Sequence, residues 1–93
     1  MMTDRLRLRC IWPDRWLETR LELPAGMTLA EAKRAALESM LKTRDFDPES
    51  YYVELRERRV ADESPTLGDL GLGDGSVLTI RAHDLHHPAP FRG

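Results

Sequence analysis

The stretch from Tyr51 to Arg81, YYVELRERRVADESPTLGDLGLGDGSVLTIR, constrains the fold more than any other part of the chain. Tyr51, Val53 and Leu55 alternate with Tyr52, Glu54 and Arg56, so one face can be buried and the other wetted, which is the period of a strand. Asp62-Glu63-Ser64-Pro65 breaks that alternation, and Thr66-Leu67-Gly68-Asp69-Leu70 reads as a short helical turn opened by the Thr66 hydroxyl. Asp74-Gly75 marks a tight turn, because glycine can adopt positive φ. Val77 to Arg81 is then a last strand, with Leu78 and Ile80 inward and Thr79 and Arg81 outward.

The first half supplies two more strands and a helix. Leu6, Leu8 and Cys10 alternate with Arg7, Arg9 and Ile11, while Leu17, Thr19, Leu21 and Leu23 alternate with Glu18, Arg20 and Glu22. Cross-strand partners must share a face, and pairing Trp12 with Trp16 would set Cys10 against Glu18. An offset of one residue repairs this: Leu8 faces Leu21, Cys10 faces Thr19, and Pro13-Asp14-Arg15-Trp16 becomes the loop, with Pro13 early in a type I turn. Trp16 is accordingly expected to be more exposed than Trp12. Thr28 and Glu31 form a capping box, in which hydroxyl and carboxylate each satisfy a backbone N–H. Leu29, Ala32, Ala36, Leu37, Met40 and Leu41 follow at helical spacing as one apolar stripe. The helix is expected to end near Lys42 or Thr43, ahead of Pro48.

The order is strand, strand, helix, strand, short turn, strand. It resembles that of the ubiquitin-like β-grasp family over about residues 5–83, and TLGDLGLGDGSVLTI is the most recognisable segment. The implied fold is α+β, a mixed sheet of four to five strands packed on one helix. The implied organisation is a β-grasp domain over residues 1–83 followed by an extended, flexible tail over residues 84–93.

Composition fits one small domain. At 93 residues the chain can build one core. It contains no apolar run long enough to cross a bilayer and no signal-peptide core, so no membrane partner is expected. The single cysteine, Cys10, excludes a disulfide framework and makes a reduced, cytoplasmic setting the default expectation. Fourteen basic and 16 acidic residues give a net charge of −2, with no global field toward nucleic acid. Twelve of those basic residues are arginines, and the only lysines, Lys33 and Lys42, fall on the expected helix.

Arg7, Arg9, Arg56 and Arg81 would share the solvent face of the sheet with Glu18, Glu22 and Glu54. Only Tyr52 could offer a stacking ring there, which favours a solvated face of paired charges over a nucleic-acid platform. The positions matching ubiquitin's apolar receptor patch are Glu54, Thr79 and Arg81, so receptors that dock on that patch should not bind, and recognition through Arg7, Arg9, Tyr52, Glu54, Arg56, Thr79 and Arg81 takes its place. Trp16 is either a further contact or packed along the sheet edge.

Catalytic signals are thin. No serine or cysteine has a recognisable partner, and no carboxylate pair flanks a cleft, so the chain is not expected to be an enzyme. Gly71-Leu72-Gly73-Asp74-Gly75 leads into a strand rather than a helix N-terminus, so it is not a phosphate loop. His83, His86 and His87 could meet a soft cation, but the reading adopted is a solvated tail with no metal and no cofactor.

Beyond Ala82 the strand pattern stops, Pro88 and Pro90 favour an extended chain, and the sequence runs to Phe91-Arg92-Gly93. In ubiquitin-like modifiers and in sulfur carriers of molybdopterin and thiamine synthesis, such a tail ends in a glycine whose carboxylate is adenylated; here one glycine stands in place of the usual pair. The chain resembles the stand-alone ubiquitin-like proteins of bacterial conjugation operons. That resemblance implies a modifier activated at Gly93 by an E1-like enzyme, with Phe91 and Arg92 read alongside, passed on by an E2-like enzyme, and joined to target amines. Lys33, Lys42 or the N-terminus would be the internal acceptors. The alternatives are a non-covalent module, like the ubiquitin-like accessory proteins of secretion systems or multicomponent oxygenases, and a sulfur carrier.

Overall fold

The structure is a computed structural model that describes residues 5–83. Its elements are β1 (Arg5–Trp12), β2 (Leu17–Pro24), α1 (Leu29–Leu41), β3 (Tyr51–Leu55), β4 (Arg58–Val60) and β5 (Val77–Ala82). The strands form one mixed sheet in the order β2-β1-β5-β3-β4, in which β1 and β5 run parallel and the other neighbours antiparallel. Helix α1 covers the inner face.

The first hairpin takes the expected offset. Leu8 faces Leu21, Cys10 faces Thr19, and Trp12 faces Leu17. Pro13–Arg15 is a single 3-10 turn with proline at its start, closed by Trp16 in the left-handed region at φ 57. Trp12 is only 3% exposed, Trp16 94%.

The capping box forms in full: the Glu31 N–H donates to Thr28 Oγ1 at 3.1 Å, and the Thr28 N–H to Glu31 Oε1 at 3.0 Å. Leu29, Ala32, Ala36, Leu37 and Met40 are buried against Leu8, Cys10, Val53, Leu67, Leu78 and Ile80. Each fully buried leucine contributes on the order of 2 kcal/mol of apolar burial. The helix stops at Leu41, just short of the expected end, because Lys42 turns left-handed at φ 59 and its N–H closes on Glu38 O at 2.8 Å.

In the second half the Thr66 turn is held reciprocally, with the Asp69 N–H on Thr66 Oγ1 at 3.0 Å and the Thr66 N–H on Asp69 Oδ2 at 3.3 Å. Leu67 N–H donates to Met27 O at 2.9 Å and ties this turn to the helix start. Gly75, at φ 86, donates to Arg7 O at 2.8 Å, while Asp74 Oδ1 accepts from the Arg7 N–H at 2.9 Å. The Asp74-Gly75 turn thereby seats β5 beside β1.

One strand has no counterpart in the sequence reading. Arg56 does not continue the alternation of β3; with Glu57 it forms a two-residue turn, at φ 53 and 67, that leads into β4. Both central residues lie at positive φ, the conformation of a type I′ hairpin, for which Asn-Gly is the usual signal. Arg-Glu gives no such signal, and a three-residue strand is too short for its period to show.

Candidate functional site

The register sets the outer face of the sheet. Inward Leu8, Cys10, Leu78 and Ile80 force Arg7, Arg9, Thr79 and Arg81 outward. Glu54 lies opposite Thr79 and Tyr52 opposite Arg81. The positions expected to replace an apolar receptor patch are therefore neighbours, and they are polar.

Most of this face neutralises itself. Arg7 Nε lies 3.3 Å from Glu22 Oε2, and Arg9 Nε 2.8 Å from Glu18 Oε2. The hydrogen bond from Arg9 draws the Glu18 carboxyl below its ordinary range. Arg81 is the most connected: Nε bonds Glu54 Oε1 at 3.0 Å, and Nη1 reaches Asp14 Oδ2 at 3.1 Å and Oδ1 at 3.2 Å. The bond to Glu54 is the main reason its guanidinium is held even more firmly protonated than usual. Asp14 comes from the tip of the first hairpin, so this one arginine clamps that tip to β5 and β3. Nothing in the sequence singled out Asp14, because its partner is 67 positions away.

Trp16 stands clear at that same tip, and its exposure removes the alternative in which it packs along the sheet edge. Its neighbour Arg15 lies over the buried Trp12 ring, 5.5 Å from the centroid. Arg56 is exposed at the other hairpin's turn rather than on a strand. Past β5, the His83 N–H still donates to Ser50 O at 2.9 Å, and the His83 ring lies 5.0 Å from that of Tyr52. Phe91, Arg92 and Gly93, like His86 and His87, lie outside the described residues.

The two lysines differ sharply. Lys33 is 2% exposed, its Nζ 2.8 Å from Glu63 Oε1 and 3.0 Å from Tyr51 O. An amine so enclosed cannot reach an acyl donor, which corrects its reading as an internal acceptor. Lys42 is exposed. Cys10 is fully buried, and desolvation pushes its thiol up to about 11, leaving it protonated and unreactive at neutral pH. The groups displayed on this surface are suited to contact: guanidinium and carboxylate pairs and aromatic rings.

No family model matches this chain, and no curated protein matches it. Solved structures do. Ubiquitin of Caldiarchaeum subterraneum superposes with a TM-score of 0.73 at 15% identity, covering 90% of this chain and 100% of that one. A structure described as molecular mimicry of SUMO that promotes DNA repair gives a TM-score of 0.71 at 14% identity, covering 86% and 94%. The UBL domain of yeast Ddi1 gives 0.69 at 16% identity, covering 89% and 94%. The fold is thus the ubiquitin-like β-grasp.

Proposed function

We propose that this chain is a ubiquitin-like modifier, recognised by other proteins as a folded body and attached to them through the carboxylate of Gly93. The observation that carries this reading is the exit point of the chain. β5 lies in the middle of the sheet, and its continuation at His83, the last described residue, is pinned to Ser50 beside the Tyr52 ring. Ten residues reach at most roughly 35 Å when extended, enough to enter an enzyme channel while the body stays outside.

In the proposed chemistry, a Gly93 carboxylate oxygen attacks the α-phosphorus of a nucleoside triphosphate, and pyrophosphate leaves. A thiolate of the activating enzyme displaces the nucleoside monophosphate to give a thioester. After transfer to an E2-like thiol, a target amine attacks the carbonyl, forming an amide, releasing the thiol and losing a proton. Phe91 and Arg92 would be read in the channel, and Arg7, Arg9, Tyr52, Glu54, Thr79 and Arg81 on the body. Lys42 and the N-terminal amine remain as internal acceptors.

Intact-mass analysis of material from native cells, comparing wild type with a Gly93 deletion, tests this. Conjugates carrying an isopeptide at Gly93, absent from the deletion, are expected. A terminal exchange of oxygen for sulfur would identify a sulfur carrier instead. Only the unmodified mass would leave the non-covalent module, a reading that the 94% exposure of Trp16 favours independently.

A further inference from the structure

The arginines of the sheet fall into two groups. Those on β1 and β5 have carboxylate partners, whereas among the described residues Arg56, Arg58 and Arg59 enter no ion pair. Two of the nearby acids are held by other cations, and a third accepts hydrogen bonds. Glu54 faces Arg59 across the β3–β4 ladder but bonds Arg81; Glu63 is held by Lys33; Asp62 accepts from both the backbone N–H and the hydroxyl of Ser64. Within residues 56–60, Glu57 alone offsets three guanidinium groups, while Glu49 and Asp62, outside that turn, pair with no cation among the described residues.

We infer that this hairpin is a docking edge for an extended, carboxylate-rich segment of a partner protein. β4 is the outermost strand, so among the described residues one side of its backbone has no neighbouring strand. Arg59 pairs with Glu54 and lies on the outer face; Arg58 pairs with Leu55 and lies on the inner one, beside Leu70 and Leu72. A strand laid along β4 presents its side chains alternately to both faces, so successive acidic residues would meet Arg59 and Arg58 in turn. Arg59 is already fixed, its guanidinium 4.7 Å above the Tyr52 ring. A cleft of about 570 Å³ adjoins it, lined by Tyr52, Arg59 and His83 and also by Lys33, Glu49 and Glu63.

Charge selects the occupant. A second copy pairing edge to edge would set arginines against arginines. Nucleic acid would need a free stacking ring, and Tyr52 is already engaged by Arg59 and His83. An acidic strand satisfies both the backbone edge and the three cations.

The test is fluorescence anisotropy of the full chain with a labelled peptide of about eight residues, the length of one strand, in which pairs of adjacent glutamates, one for each face, are separated by threonine pairs. Arg58→Glu and Arg59→Glu should each weaken binding about tenfold or more, while Arg34→Glu, an equal change of net charge on the helix, leaves it within about twofold. Amide protection of Arg58 to Val60 should rise on binding. Equal affinity for the glutamine counterpart, equal loss in Arg34→Glu, or no binding by the acidic peptide would overturn the proposal; tighter binding of a single-stranded oligonucleotide would replace it with a nucleic-acid site. Deleting Gly93 should not alter peptide binding, so the outcome is independent of the modifier reading.

Discussion

The two hairpins of this sheet are built on opposite plans. The first has two eight-residue strands, buries Leu8, Cys10, Trp12 and Leu23, and matches its outward arginines with glutamates across the ladder. The second pairs five residues with three, turns through Arg56-Glu57, and leaves its arginines without carboxylates. Length and apolar pattern hold the first hairpin. The second is held from beneath, by Lys33 bridging Tyr51 O and Glu63 at its two flanks. A sheet can thus keep one side electrostatically closed and the other open to a partner.

Removing the Lys33 bridge should have the largest effect on the second hairpin. Lys33→Ala leaves Glu63 poorly solvated without its cation and should cost about 3 kcal/mol, read as a lower urea midpoint. The double change Lys33→Met with Glu63→Leu should recover most of that loss, since no charge is then stranded. If Lys33→Ala is silent, the short hairpin stands on its own strands.

A second measurement reports on the long hairpin through Cys10. Its folded thiol lies near 11 against an ordinary value of 9.0. Above pH 9 the unfolded chain therefore binds fewer protons than the folded one, and stability falls as pH rises toward 11, by at most about 2 to 3 kcal/mol. Denaturant melts across that range should show the decline in wild type and a shallower one in Cys10→Ala.

Arg81 joins the hairpins, so Arg81→Ala should cost about 1 kcal/mol, with coupling to both Asp14→Ala and Glu54→Ala in double-mutant cycles. The smallest effects are gains. Glu57→Gly and Trp16→Gly each relieve a left-handed residue and should stabilise by roughly 0.5 to 1 kcal/mol in thermal melts. Only Trp16→Gly should also weaken a partner that grips the first tip.

The legibility of the two halves followed their construction. The register of β1 and β2 could be read because a slip of one residue would drive Glu18 into the core beside Cys10, and the helix start because Thr28 and Glu31 cap locally. β4 could not be read, since a two-residue turn of Arg-Glu carries no glycine signal and its three residues form no resolvable period. Arg81's clamp on Asp14, the enclosure of Lys33 and the open pairing state of Arg58 and Arg59 were also hidden, each depending on groups distant in sequence.

Amphipathic period, capping chemistry and turn glycines act over a few residues, so the order of every element but β4, their buried faces and the ubiquitin-like β-grasp they build could be derived from the chain alone. Which charges are spent and which remain free was decided only by the tertiary structure. Glu54 has two arginines within reach across neighbouring strands, and the geometry of the sheet gives it to Arg81; that choice, made in three dimensions, leaves Arg59 stacked on Tyr52 at an open edge.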